Sequence, residues 1–534
     1  MDDRSFARSL GWASALLVLA NLLAILAVFL SGYDWDLDHE FYYGSRLLEG
    51  ELLWTREFHD KLPMLQMVMA IPASFEAGIQ VWRGLSLGVC LLCILGLRTW
   101  IPRLLDAEPG VRGQRQRVVD FGLLFLIAML TMRPGGFSTI NPIASCLAAT
   151  VMVLMLLMAR PEPAPVPYRP AVFVLGGLAG ALAISMRPYF LAPLAFTLLW
   201  LLAEASLAKA RCRSPRSVFL QCIAWGAAIG GFGLAGNVLP YVLTGQLEAL
   251  RDGLSLLAAD LNPSPFLVSV VGFLWVSLRD ADLLPFYILV IAFGVVVLSL
   301  PGRHRGEPVN RLLIHGLGAI VSLFAYMATK HWWNHYVHLF DAFAAYLLIV
   351  FVIQFSEGRM RASVARPLVA AAKVVLPLVA FVFLGFAGRD LVQAAHADSR
   401  EHPRAVLARE VRSYLASRPP PERDFLMPLS VYVHWQLRES RHGFPHAAST
   451  GHVLSGWWRG IGEVSSFIAP HDARAYCEAL MERGPGIVIT FHGPRHYRLN
   501  ERIRKCLSAA GSRYVLDEER PLPGGSRVAF FVRR

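Results

Sequence analysis

Apolar runs of bilayer length recur along this chain from residue 11 to residue 387, and they leave it few ways to fold. Within hydrocarbon a backbone has to satisfy its own N–H and C=O groups, so such runs read as helices of about 20 residues each. They lie near 11–31, 81–100, 118–133, 142–159, 171–187, 188–204, 218–243, 283–300, 312–329, 337–355 and 367–387, which predicts about eleven spans. With 55% hydrophobic and 17% charged residues, the composition excludes an ordinary soluble domain. Asp2, Asp3, Arg4 and Arg8 precede the first run and no small-residue cleavage site follows it. That run is read as a retained anchor whose N-terminus stays inside.

A net charge of +12 would suit a nucleic-acid partner, but its distribution argues against one. The basic residues gather in alternate short loops: Arg98, Arg103, Arg112, Arg115 and Arg117; Lys209, Arg211, Arg213 and Arg216; Arg303, Arg305 and Arg311; Arg359, Arg361 and Arg366. This is the positive-inside pattern, and membrane lipids are the partner it implies. With an odd number of spans, the first large loop and everything after residue 387 fall on the extracytoplasmic side.

The chain therefore divides into a membrane domain, 1–387, and a soluble tail, 388–534. The loop 32–80 is too long for a simple turn, and its segment 62–79 reads as a helix lying along the interface. A second interfacial layer is expected in 245–282. In the tail, Phe425–Val431, Ile487–Phe491 and Val528–Val532 have strand length and Asn500–Ala510 has a helical pattern, so a small α/β domain is expected. No internal repeat of the transporter kind is visible. Cys90 and Cys93 sit inside an apolar run and read as packed thiols, whereas Cys477 and Cys506 share the tail, where an even pair is a disulfide candidate. His442, His446 and His452 match no tight metal-ligand spacing and read as loop histidines.

Chemistry concentrates just after the first run, in Tyr33–Gly50. Asp34, Asp36, Asp38 and Glu40 fall at every second position, so an extended backbone aims them to one side, whereas a helix puts Asp36 and Glu40 on one face. Such a cluster can deprotonate a hydroxyl, hold a divalent cation or solvate a loop. After it come Tyr42-Tyr43, a Leu-Leu-Glu-Gly stretch ending at Gly50, Trp54, Phe58 and His59-Asp60-Lys61-Leu62-Pro63.

This order resembles the first extracytoplasmic loop of the polyprenyl-phosphate-dependent glycosyltransferases of the GT-C superfamily, the group of protein O-mannosyltransferases and the lipid A aminoarabinose transferase. The resemblance implies a polytopic helical GT-C-like fold and a bacterial inner membrane location. It also implies inverting transfer of one sugar from a polyprenyl-phosphate donor to an envelope glycan, lipid or protein acceptor. By position, Asp36 matches the catalytic aspartate, with Asp38 as rival or partner, and Lys61 and Pro63 match a later Lys-Pro-Pro-Leu motif. Leu37 and Leu62 depart from the pattern, the first standing for a Glu and the second for a Pro.

Glu40 and Tyr43 join Lys61 as candidate substrate-binding residues of the loop. Arg133, Arg187, Lys330, His335 and Tyr336 join them from predicted extracytoplasmic span ends, where a charge is costly unless it faces protein, water or an anion. The His335-Tyr336 pair also resembles one found before a late span in bacterial members of the superfamily. The same residues admit plainer readings: Arg133-Pro134 and Arg187-Pro188 as interfacial anchors, Trp332, Trp333 and Tyr336 as an aromatic belt. No metal-ligand set stands out, and a divalent cation remains open. Two other functions stay in view: a transporter or flippase of lipid-linked sugars, and an assembly subunit without activity.

Overall fold

The computed structural model describes residues 3–30, 35–55, 61–75, 77–104, 112–131, 140–159, 170–207, 215–259, 267–268, 271, 308–329, 338–356, 362–396, 403–419, 422–427, 477–478, 480–482, 484–492, 498–509 and 511–534. They form two compact units, one of 1–31, 80–235 and 264–396, the other of 32–79, 236–263 and 397–534.

The first unit is a helical bundle of α1 (Asp3–Leu30), α4 (Gly78–Leu104), α5 (Arg112–Thr131), α6 (Asn141–Met158), α7 (Pro170–Met186), α8 (Leu191–Leu207), α9 (Pro215–Asn237), α12 (Pro308–Met327), α13 (Asp341–Ser356) and α14 (Ala362–His396). Among the described residues six helical segments are long and apolar enough to cross a membrane, so the protein is a multi-pass membrane protein. Ten of the eleven expected spans fall on helices, and the remaining one, 283–300, lies outside the described residues. All 18 residues of α6 are buried, which makes this all-round apolar helix the centre of the unit, packed by α7, α8 and α13. The α7–α9 contact depends on missing side chains. A Cβ on Gly177 would stand 2.6 Å from that of Ala228, so the two backbones meet as small-residue interfaces do in membranes.

The expected break between the fifth and sixth spans has a backbone cause. Arg187 is extended, with φ −145° and ψ 103°, as a residue before proline must tend to be, and Pro188 opens a short 3₁₀ turn leading into α8. The span expected over 218–243 is split at Val238, after which α10 (Leu239–Thr244) closes on Gly245 at φ +70°.

In the second unit, α2 (Trp35–Leu48) packs against α3 (Pro63–Ala73), with α10 and α11 (Leu247–Ala259) nearby in sequence and in contact with each other. The interfacial helix is shorter than 62–79 because Ser74 closes it, its N–H bonding the carbonyls of Ala70 and Ile71. The tail of this unit holds α15 (Pro403–Ala416), β1 (Phe425–Leu426), β2 (Ile487–His492), α16 (Arg498–Leu507), β3 (Tyr514–Leu522) and β4 (Ser526–Arg533).

Its sheet runs β1-β2-β4-β3, with β1 parallel to β2 and with β4 antiparallel to both neighbours. One sheet face buries Leu426, Val488, Ala529 and Phe531 against Leu480, Ile503 and Leu507. On the other, Tyr414 of α15 stacks on Phe530 with ring centroids 3.9 Å apart. Strand β3 leaves no apolar pattern in the sequence because Asp517, Glu518, Glu519 and Arg520 interrupt it, as edge strands commonly arrange. A bulge between Leu516 and Glu518 lets Asp517 meet the Tyr414 hydroxyl at 2.7 Å. Helix α14 continues unbroken past residue 387 to His396.

Candidate functional site

The acidic stretch is helical. Helix α2 begins at Trp35, so positions 36 and 38 lie in its first turn, where the helix dipole favours negative charge. Of the two backbone geometries the sequence allowed, the helical one holds, and it sets positions 36 and 40 one turn apart on a shared face while 38 falls elsewhere. Asp34 lies outside the described residues.

Three features fix α2 in place. Gly44 lets it touch the backbone of α3: a Cβ there would stand 2.5 Å from the Met69 carbonyl carbon. Gln66 of α3, itself buried, accepts from Leu53 N–H at 2.7 Å and donates to the carbonyls of Tyr43 and Glu51, each at 2.9 Å. Arg46 closes the helix end by ion pairs to Glu49, at 2.9 Å, and to Glu51.

The chain after α2 is under local strain. Trp54 holds φ at +68°, a region that costs a bulky residue about 1–3 kcal/mol. Its surroundings enforce this: the Tyr241 hydroxyl donates to the Leu53 carbonyl, and the Trp54 ring fills the space beside Gly253 of α11, where a Cβ would collide with it. The Met64 N–H donates to Asn237 Oδ1 at 2.8 Å, a bond within this unit that ties the start of α3 to the residue two places before α10.

Glu40, Tyr43 and Lys61 are all buried in this unit, at 6%, 5% and 6% exposure, and neighbouring groups engage each of them. Tyr43 packs edge-on against Tyr42, with centroids 5.3 Å apart. The departure at Leu62 has a benign geometry. Leu62 is extended, at φ −83° and ψ 150°, and Pro63 takes the first helical position, where its missing N–H costs nothing. A cationic side chain is thus held in a poorly solvated place two residues before α3, which is what an anion clamp requires.

The bundle has a polar centre of its own. Arg187 is buried and its Nε donates to Asn141 Oδ1 at 2.5 Å, which removes the reading of it as a snorkelling anchor. One turn along the same face of α6, Ser145 Oγ donates to the Leu339 carbonyl at 3.0 Å and receives the Ala342 N–H at 3.3 Å. Between those two residues stands Asp341, bonded to His338 Nδ1 at 2.7 Å, both fully buried. Ring contacts of Tyr189 with Tyr326 and of Phe190 with Phe343 surround this end of the bundle.

Sequence reasoning chose His335 and Tyr336 and passed over His338 and Asp341. Arg83 was passed over too, buried at 1% in the first turns of α4, although an arginine inside a predicted span was signal enough. Arg133, Lys330, His335 and Tyr336 lie outside the described residues, as do His442, His446 and His452. Among the described residues no group of three or more His, Cys, Asp or Glu side chains is placed to hold a metal ion.

No protein-family model and no curated protein matches the chain. Among solved structures, three of the oligosaccharyltransferase of Archaeoglobus fulgidus align with 90% of this chain and 69% of their own. The form tethered to an acceptor peptide is 12% identical with a TM-score of 0.44, and the apo form 12% with 0.47. The complex with an inhibitory peptide and a dolichol-phosphate is 13% identical with a TM-score of 0.48.

Proposed function

We propose that this protein is a GT-C-type membrane glycosyltransferase that moves one sugar, with inversion, from a polyprenyl-phosphate carrier to an envelope glycan, lipid or protein acceptor. The observation that carries this reading is the clamped helix α2, with carboxylate positions in its first turn and a buried Lys61 in the same unit. In the reaction, Asp36 takes the proton of the acceptor hydroxyl as the oxygen attacks the anomeric carbon from the face opposite the phosphate. The sugar–phosphate bond breaks and its electron pair leaves on the lipid phosphate. Lys61 balances that charge, with Arg187, Arg133 and Lys330 as further cationic candidates. Phosphate is a good leaving group, so the mechanism needs a base and a cation but no separate general acid. The active face is extracytoplasmic, and the membrane is a bacterial inner membrane.

One observation favours a second reading, a transporter of lipid-linked sugars. Arg83, Arg187 and the His338–Asp341 pair are buried within the bundle, where transporters keep ion and headgroup sites. A single experiment separates the two. Purified protein in vesicles is given radiolabelled polyprenyl-phosphate sugars and membrane extract. Label joined covalently to an acceptor, and lost in Asp36→Asn, supports the enzyme. Label that crosses the bilayer still on its lipid supports the transporter.

A further inference from the structure

Among the described residues, thiols come together in two places, and one of these lies within reach of solvent. Cys90 of α4 and Cys146 of α6 are hydrogen-bonded to each other and wholly buried. Cys477 and Cys506 are hydrogen-bonded as well, but Cys506 is only half-buried. All are free thiols in the structure.

The fold explains why the second pair meets. In the sheet order β1-β2-β4-β3, strands β2 and β3 are both antiparallel to β4 and hence parallel to each other. The steps from β1 to β2 and from β2 to β3 run in the same direction along the sheet, so right-handed crossovers bring both connections to one face. The shared core agrees: Leu480 from the helical stretch at 477–482 is buried with Ile503 and Leu507 of α16. Cys477 lies one turn before Leu480, and Cys506 lies one turn after Ile503 and adjoins Leu507.

We propose that Cys477 and Cys506 form a structural disulfide that ties these two helical segments together around β2. The proposal rests on the tail being extracytoplasmic, where such bonds persist. The hydrogen bond from Cys477 holds the Cys506 thiol below its ordinary value, against burial and the Glu478 carboxylate. Cys506 is therefore the first nucleophile. Its thiolate attacks a disulfide oxidant, such as a thiol oxidoreductase or oxidised glutathione, and expels one oxidant sulfur, which carries off the Cys506 proton. Cys477 then attacks the Cys506 sulfur of the mixed disulfide, and the second oxidant sulfur leaves with the Cys477 proton. Two thiols give up two electrons and two protons, and one oxidant disulfide takes up both.

The test uses the full-length protein. Intact cells are treated with a membrane-permeant maleimide before lysis, and the purified chain is digested with trypsin without reductant. The expected result is peptide 475–483 joined to peptide 506–513 and separated by reductant, while Cys90 and Cys146 appear as thiols. Recovery of both tail cysteines as maleimide adducts overturns the proposal. A second arm then locates the failure, by exposing purified, reduced protein to oxidised glutathione. Linkage there means that the compartment was misread, and no linkage means that the geometry was. Cys477→Ser should leave the half-buried Cys506 thiol open to maleimide, and a Cys506 that stays as protected there as in the unaltered protein would equally refute the pairing.

Discussion

The clamp around α2 and the polar centre of the bundle both bury charged and hydrogen-bonding groups, yet they are built in opposite ways. In the clamp, Gly44, Arg46, Leu53 and Gln66 lie within 23 residues of one another and are joined mostly through backbone groups. In the bundle, Asn141 and Ser145 of α6 meet Arg187 and the segment bearing His338 and Asp341 from far along the chain, through bonds that each use at least one side chain. The first arrangement fixes a backbone on which chemistry can be displayed. The second fixes the partners of a few expensive side chains, which has to be done wherever water is absent.

If the clamp displays the catalytic base, the largest effect in the molecule belongs there. Asp36→Asn keeps the shape of the side chain while removing its basicity, and transfer should fall about 10²- to 10⁴-fold with donor binding retained. Asp34→Asn should be nearly silent. A larger loss in Asp38→Asn than in Asp36→Asn would move the assignment by two residues, and full activity in the double variant would leave only a solvated acidic loop.

Next in size is Lys61→Ala, expected to weaken donor use by about 1.5–3 kcal/mol, with partial recovery in Lys61→Arg. Unchanged donor dependence would remove Lys61 from the site and shift attention to Arg187 in the bundle.

A direct contrast of the two regions comes from their hydrogen-bond hubs. Removing a buried partner costs about 1–3 kcal/mol for each group left unpaired. Gln66→Ala strands three backbone groups, whereas Asn141→Ala withdraws one acceptor from Arg187. Chemical unfolding in detergent should therefore find Gln66→Ala the less stable; the reverse order would show that the bundle depends on its polar centre more than the loop does on its clamp. Gly44→Ala should cost about 1–3 kcal/mol by overpacking at the α2–α3 contact. If it proves neutral, the two helices have room to separate.

The smallest effect lies in neither region and serves as the outside reference. Burial pushes the Asp424 carboxyl above its ordinary value, and its Oδ1 has no partner among the described residues. The folded state then holds that proton more tightly than the unfolded one. The stability so gained is complete below the ordinary carboxylate pKa and is lost as pH rises through the raised folded value. At neutral pH Asp424→Asn should be the more stable protein, by no more than about 1 kcal/mol after solvent screening, and the gap should close on acidification. A gap that widens toward acid would reverse the sign of the argument.

What could be read in the sequence follows the same division. The Lys61-Leu62-Pro63 entry to α3 and most spans were legible because their determinants are local: hydropathy over about 20 residues, proline geometry, the order of residues in one loop. Helix α2 was legible only as one of two backbone geometries, since carboxylates at every second position suit a strand as well as a helix. Strand β3 was not, because its exposed edge carries Asp517, Glu518, Glu519 and Arg520, and only pairing with β4 makes a strand of it. His338 and Asp341 were not, because no local pattern separates a buried pair from a headgroup contact.

The amino-acid sequence by itself determined that this chain must be helical and membrane-embedded, since hydrocarbon leaves a backbone no other partner than itself. It also placed the acidic and Lys-Pro elements in one loop. Only the tertiary structure decided that Arg187 turns inward to Asn141, that Ser145 holds the segment bearing Asp341, and that Gly44 and Gln66 lock the acidic helix. Those choices depend on which helices stand side by side, and a buried polar group has to find its partner in three dimensions, however far away that partner lies along the chain.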